Sequence, residues 1–136
     1  MIKPAGLKSE ANIGVISPSY WIAEDVLKNT SEIFTSRNFH LTFGKSIMAK
    51  EGPFAGPPEL RAEDLNNMFA DPNIDAIFCA RGGYGSNRVL PLLNYDMIKE
   101  NPKIFIGYSD TTAYLTSITQ KTEIITFHGP MLVSYK

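Results

Sequence analysis

Five short apolar runs limit what this chain can fold into: Ile13-Gly14-Val15-Ile16-Ser17, Phe39 to Phe43, Ile74 to Ala80, Lys103 to Gly107 and Ile124 to Phe127. Runs this short and continuous suit strands covered on both faces, and parallel neighbours of that kind need helical crossovers. The intervening stretches supply them. From Ile22 to Asn38 the apolar residues pair at helical spacing, as Ile22/Ala23, Val26/Leu27 and Ile33/Phe34. Pro58 and Glu59 open a second helix through about Ala70, with Ala62, Leu65 and Phe69 on one face, and Asp71-Pro72 stops it. Val89 to Glu100 reads as a short helix, a turn around Pro91 to Asn94 and a further helical turn. A last helix runs from about Thr111 to Gln120, with Tyr114, Leu115 and Ile118 as its stripe. The alternation predicts an α/β domain built on a doubly wound, mostly parallel five-stranded sheet. Between Lys45 and Pro58 stand Gly52, Pro53, Gly56, Pro57 and Pro58, which predict a mobile surface loop.

At 136 residues the chain has the size of one domain with one real core. With 43% hydrophobic and 20% charged residues and a formal net charge of -1, it gives no reason to expect nucleic acid or an acidic membrane as partner. A small-molecule or peptide ligand is expected instead. No run approaches the ~18 apolar residues of a membrane span, and Met1 to Gly6 lacks the apolar core of a secretory signal. A cytoplasmic location is expected. The single Cys79 permits no internal disulfide and sits in an apolar run, as an inert buried thiol does.

In open α/β sheets ligands bind off the carboxyl ends of the strands, which brings three loops to one edge. Ser17-Pro18-Ser19-Tyr20-Trp21 follows the first strand, Arg81 to Arg88 the third, and Tyr108 to Thr112 the fourth. The last of these runs a strand straight through Gly107-Tyr108-Ser109-Asp110-Thr111 into a helix. That grammar holds a serine hydroxyl out at a sheet edge, with the next N–H free for an oxyanion. Thr111 replaces the second glycine of the G-x-S-x-G form, and the turn equally suits an ordinary βα loop in which Ser109, Asp110 or Thr111 caps the helix. Arg81-Gly82-Gly83-Tyr84-Gly85-Ser86-Asn87-Arg88 is the most glycine-dense octet. Its backbone can approach a ligand closely and turn N–H groups toward an anion. A dinucleotide fingerprint fails on spacing, because Arg88 stands where the third glycine belongs, and no Walker-type Gly-Lys-Ser/Thr is present. No cofactor and no metal is expected.

These loops supply the candidate parts of a serine hydrolase site. Ser109 is the candidate nucleophile, and the backbone N–H groups of Asp110 and of Gly83, with Gly82 as the alternative, are the candidate oxyanion donors. Ser17, Ser19, Arg81, Tyr84 and Tyr108 are candidate substrate-binding residues. Arg81 or Arg88 can pair with a substrate carboxylate. A general base is missing. Serine needs one, usually a histidine steered by a carboxylate, and only His40 and His128 exist. His40 starts a strand at the opposite edge, and His128 precedes Gly129-Pro130 in a turn that suits a backbone-bonded histidine.

Arg81-Gly82-Gly83-Tyr84-Gly85-Ser86, Ile106-Gly107-Tyr108-Ser109-Asp110-Thr111-Thr112 and Thr126-Phe127-His128-Gly129-Pro130-Met131, in this order and spacing, resemble the amino-terminal domain of the LD-carboxypeptidases. These are serine peptidases of the muramoyltetrapeptide carboxypeptidase family, with the microcin C immunity peptidases as sister branch. Ile16-Ser17-Pro18-Ser19, Asn94-Tyr95-Asp96 and Glu100-Asn101-Pro102-Lys103 extend the likeness to nearly the whole chain. The resemblance implies a flavodoxin- or Rossmann-like domain of a cytoplasmic hydrolase that releases the terminal D-alanine of murein tetrapeptides in cell-wall recycling. Ser109 matches the family's nucleophile, and the amides of Asp110 and the Gly82-Gly83 loop match its oxyanion hole. The Arg-Gly-Gly-Tyr-Gly form favours the murein branch over the microcin branch.

The family's triad glutamate and histidine lie in a second, carboxyl-terminal domain, for which residues 1–136 hold no counterpart. The resemblance therefore implies a nucleophile-bearing domain that is inactive alone. The face meeting that other domain is expected to expose Tyr20, Trp21, Tyr84, Tyr108 and the tail Met131 to Tyr135, and to drive homo-oligomer formation. The readings that compete with a murein peptidase are a microcin C immunity-type peptidase, a small-anion-binding module using Gly82 to Ser86, and a non-catalytic interaction domain.

Overall fold

Residues 1–135 are described by a computed structural model. A five-stranded sheet forms its centre, with β1 (Asn12–Ile16), β2 (His40–Phe43), β3 (Ala76–Cys79), β4 (Ile104–Gly107) and β5 (Phe127–His128) in spatial order β2-β1-β3-β4-β5. Every pairing is parallel, so the chain must return to the same end of the sheet after each strand. Helices make that return: α1 (Glu24–Thr35), α2 (Pro58–Ala70), a short α3 (Ser86–Val89) with α4 (Tyr95–Glu100), and α5 (Thr112–Thr122). The result is the doubly wound order of flavodoxin-like sheets, and it is wholly rather than mostly parallel.

Alternation along the strands divides the core. Ile13, Val15, Ala76 and Phe78 face α1 and its Phe34. Ile16, Ile77, Cys79 and Phe105 face Leu65 and Phe69 of α2 and Tyr114, Leu115 and Ile118 of α5. Both faces of β1 and β3 are covered, which is why their sequences are continuously apolar. Pro58 opens α2 at its first position, where its missing N–H costs nothing. At the other end of α2 the buried ammonium of Lys103 donates to the carbonyls of Met68, at 2.9 Å, and Asp71. Those are carbonyls a helix end leaves unpaired, and a cation suits them. Burial pushes the Lys103 ammonium below the usual lysine range.

Three expectations are corrected. The segment after β2 is pinned rather than mobile. Lys45–Met48 forms a 3₁₀ turn whose first N–H groups, of Lys45 and Ser46, donate to the Asp64 carboxylate at 2.9 and 2.7 Å. The Trp21 indole N–H reaches the Gly52 carbonyl at 3.1 Å, and the Ala55 N–H reaches Ser19 O at 3.1 Å. Side chains and backbone from elsewhere in the fold thus hold a segment whose glycines and prolines form no regular element of their own. The fifth strand holds only Phe127 and His128, because Ile2 exchanges backbone bonds with Glu123 and Ile125 and takes that stretch away from β4. The tail from Met131 is not an exposed strip. It runs back over the sheet, with the Val133 N–H on Ala80 O at 3.0 Å, Met131 and Leu132 buried, and Tyr135 edge-on to Phe34 at 5.1 Å. Leu132, Val133 and Tyr135 cover part of the α1 face, while Met131 packs into the cluster on the other face. Among the described residues, no helix is long and apolar enough to cross a membrane.

Candidate active site

The turn after β4 is strained at one residue. Ser109 has φ +61°, in the left-handed region, a cost of about 1–2 kcal/mol for a residue with a Cβ. Neighbouring groups hold it there. The Thr111 hydroxyl donates to Tyr108 O at 2.8 Å across the 3₁₀ turn Ser109–Thr111, and Thr111 is fully buried. A Cβ on Gly107 would collide with that threonine side chain. Thr111, standing where a second glycine was sought, is therefore the residue that closes the turn. Ser109 itself stays exposed at the carboxyl edge, as in a strand-to-helix nucleophile turn.

The loop after β3 lies against it. A Cβ on Gly82 would come 3.0 Å from Ser109 Cβ and 3.1 Å from Ser109 Oγ, so glycine lets the two loops approach this closely and any side chain there would push the serine back by a few tenths of an ångström. Among the described residues, the N–H groups of Gly82 and Gly83 have no intramolecular acceptor. Donors free of partners thus stand beside the serine oxygen, an arrangement that can stabilise an oxyanion. An open cleft of about 680 Å³ covers this point. Arg81, Gly82, Gly83, Tyr108 and Ser109 line it, with Met131 and Val133 of the tail as one wall.

Beneath the cleft the Asp110 carboxylate ties all three loops together. Ser19 Oγ of the first loop donates to Oδ2 at 2.6 Å. Ser86 of the second donates its N–H to Oδ2 at 3.2 Å and its hydroxyl to Oδ1 at 3.0 Å. Below that lies Arg61 of α2, a fully buried guanidinium stacked on the Phe54 ring at 5.2 Å that donates to three carbonyls: Nε to Gly56 O at 3.2 Å, and one terminal nitrogen to Pro18 O at 3.1 Å and Gly85 O at 3.3 Å. Burial lowers its pKa, and the charge of Asp110 partly opposes that shift. The buried Tyr114 hydroxyl donates to the same Pro18 carbonyl at 2.7 Å, and burial raises its pKa.

The candidate residues separate accordingly. Arg81, Gly82, Gly83, Tyr108 and Ser109 come together at the cleft. Ser17 and Ser19 do not: both are fully buried. Ser17 gives its N–H to Ser46 Oγ at 3.0 Å, and Ser19 is committed to Asp110, so neither offers a substrate-binding wall. Tyr84 is 60% exposed but stands off the cleft lining, as does Arg88. His128 pairs with Gly107 in the sheet, yet its ring meets Tyr108 edge-on at 6.2 Å and borders a separate hollow against α5. His40 is exposed on the edge strand β2. Burial drives the Cys79 thiol well above its usual range, which makes it inert. Arg61 and Ser86 are the residues sequence reasoning missed. Arg61 was legible in part: with Asp64, Leu65 and Met68 it completes an i, i+3, i+4, i+7 stripe that is buried throughout.

Residues 13–129 match the family model described as the LD-carboxypeptidase N-terminal domain, a Peptidase_S66 model. The chain belongs to that family. A probable murein peptide carboxypeptidase of Bacillus subtilis is 36% identical over 130 residues, 96% of this chain and 41% of that protein. The microcin C7 self-immunity protein MccF of Escherichia coli is 43% identical over 102 residues, 75% of this chain and 30% of that protein. Among solved structures, an MccF-like protein from Bacillus anthracis superposes with a TM-score of 0.94 at 37% identity, over 99% of this chain and 42% of that one. The chain thus spans about two-fifths of the length of family members that it matches nearly end to end.

Proposed function

We propose that this chain is the nucleophile-bearing domain of a serine peptidase that cuts the L,D bond of a murein tetrapeptide and releases its terminal D-alanine in the cytoplasm. One observation carries the reading: Ser109 is exposed, held at positive φ and close beside Gly82, whose own N–H has no partner among the described residues. Ser109 Oγ attacks the carbonyl carbon of the penultimate residue, and its proton passes to a base. The oxyanion that forms takes hydrogen bonds from the N–H groups of Asp110 and Gly83, or Gly82 in place of Gly83. As the tetrahedral adduct collapses, the C–N bond breaks, the base returns the proton to the leaving D-alanine nitrogen, and an acyl-enzyme remains for water to hydrolyse.

No histidine or carboxylate among the described residues lines the cleft to serve as that base. Among the described residues, Arg81 and Tyr108 are the only ionisable groups lining the cleft. We assign the base to a histidine, with its glutamate, on a second, carboxyl-terminal domain, in keeping with the greater length of the relatives. Residues 1–136 alone are then inactive. The apolar surface at Tyr84 and Tyr108, both exposed, is the part of the interdomain face that promotes self-association.

A microcin C immunity-type activity is the second reading. It is favoured by the likeness to structures of MccF, at 38% identity and TM-scores of 0.92 and 0.93. One experiment separates the two: the chain is mixed with the carboxyl-terminal domain of a relative and given, in turn, an L,D-tetrapeptide and aspartyl sulfamoyl adenosine, with Ser109→Ala as control. Cleavage of the tetrapeptide by the mixture alone, abolished by the alanine, supports the first reading. Cleavage confined to the adenosine conjugate transfers the function to the second. Activity that survives Ser109→Ala refutes both.

A further inference from the structure

Arg81 is the one fixed positive charge lining the cleft among the described residues, and it has no anion of its own. The only ion pairs among those residues are Lys45–Glu63 and Lys99–Glu123, both remote from the cleft. The Arg81 guanidinium is half-buried, gives one N–H to Trp21 O at 3.3 Å and lies over the Tyr20 ring at 5.6 Å. Those contacts fix its plane and leave most of its five donors unassigned. The nearby acids are otherwise engaged or turned away: Asp110 accepts from Ser19 and Ser86, while Glu24 and Asp25 of α1 are exposed and do not line the cleft. A guanidinium held in place and partly stripped of water, without a counter-ion, favours a planar anion that can take two parallel hydrogen bonds.

The position of Arg81 says which anion. It directly precedes Gly82, whose Cβ position is 3.1 Å from Ser109 Oγ, and consecutive Cα atoms are about 3.8 Å apart. From a carbonyl carbon at Ser109, the carboxylate of a single leaving residue is three bonds away, within reach of an arginine side chain rooted there. Arg88 stands off the lining on α3, so the two arginines are not equivalent. We propose that Arg81 is a specificity residue that binds the free terminal carboxylate of the peptide, making the cleft a site for carboxyl-terminal rather than internal bonds. This inference deepens the peptidase reading and rests on it for the identity of the ligand.

Binding needs no general base, so the isolated chain suffices for the test. Amide NMR titrations compare an N-acetylated dipeptide ending in D-alanine with its carboxamide, for the wild type, Arg81→Gln, Arg81→Lys and Arg88→Gln. The free acid is expected to bind on the order of tenfold more tightly than the amide, a difference suited to one charge-assisted pair, and to shift the amides of Gly82, Gly83 and Ser109. The preference should vanish in Arg81→Gln, survive in part in Arg81→Lys and persist in Arg88→Gln. Equal affinity of acid and amide in the wild type, a preference that outlives Arg81→Gln, or no binding of either overturns the assignment. Failure of the peptidase reading is distinguishable, because it appears as cleavage that survives Ser109→Ala and leaves the acid-over-amide preference unchanged.

Discussion

Replacing Asp110 by alanine should unfix the whole carboxyl edge, and the size of the effect can be worked from its partners. Three hydrogen bonds to a carboxylate are lost, from Ser19 Oγ at 2.6 Å, Ser86 N–H at 3.2 Å and Ser86 Oγ at 3.0 Å. Ser19 is fully buried and Ser86 nearly so, so water cannot simply replace the carboxylate. A buried polar group left unpaired costs about 1–3 kcal/mol. Two such residues, with some relaxation of the exposed loop, give a destabilisation of about 3 kcal/mol. Arg61 adds to this, since it loses a negative charge that favours its protonated form. Urea unfolding followed by circular dichroism should therefore show a lower midpoint at unchanged slope, with a fall in Tm of roughly 10 °C for a domain of this size. Asp110→Asn keeps the shape and one acceptor oxygen and should lose about half as much. A loss below about 0.5 kcal/mol for Asp110→Ala, the size of an ordinary surface substitution, would refute the idea that this carboxylate organises the site.

Three further outcomes follow from other contacts. Gly82→Ala places a methyl 3.0 Å from Ser109 Cβ, so it should cost about 1–3 kcal/mol and, in a chain completed by a second domain, remove most activity while leaving the fold. Tyr114 is buried with its pKa raised above the usual value of 10.0. The unfolded chain therefore loses that proton first as pH climbs past 10, and stability should fall by up to about 1.4 kcal/mol per pH unit for this group. Urea melts across that range should show a shallower decline for Tyr114→Phe. Static light scattering at high concentration should report a dimer or larger species that Tyr84→Ser with Tyr108→Ser weakens, and a wild-type monomer would count against the exposed interdomain face.

What could be read from the sequence was what repeats or breaks locally. The strands β1, β3 and β4 announce themselves because burial on both faces demands unbroken apolar runs, and the glycine-dense octet and serine turn follow from those strands. The pinned segment after β2 was illegible for the opposite reason. Its order comes from Trp21 and Asp64, 31 and 19 residues away from the groups they bind, and from Arg61 in the next helix, while its own residues signal only breaks. The same holds for the tail, where Met131 and Leu132 look like surface apolar residues until the two core clusters they join, one on each face of the sheet, are known. Ser17 and Ser19 stood at the right edge of the sheet, but strand alternation and the Asp110 carboxylate turned both inward.

The arrangement of Arg61 and Asp110 explains how an exposed, strained serine can be kept in place by a chain of this length. A buried guanidinium alone is costly, and an acidic partner in direct contact would take two of its five donors away from the backbone. Here the charges are separated. Arg61 spends its donors on the carbonyls of Pro18, Gly56 and Gly85, one in the loop after β1, one before α2 and one in the loop after β3. Asp110 spends its oxygens on Ser19 and Ser86, from two of those same loops. Each loop after β1 and β3 is thus held twice, once by the cation through a carbonyl and once by the anion through a hydroxyl. Asp110 is also the residue directly after Ser109, so any slackening of either hold is transmitted to the turn at φ +61°. The strain at Ser109 is sustained by one buried and one half-buried charge that do not line the cleft, while Arg81, the charge that does line it, has no ion-pair partner among the described residues.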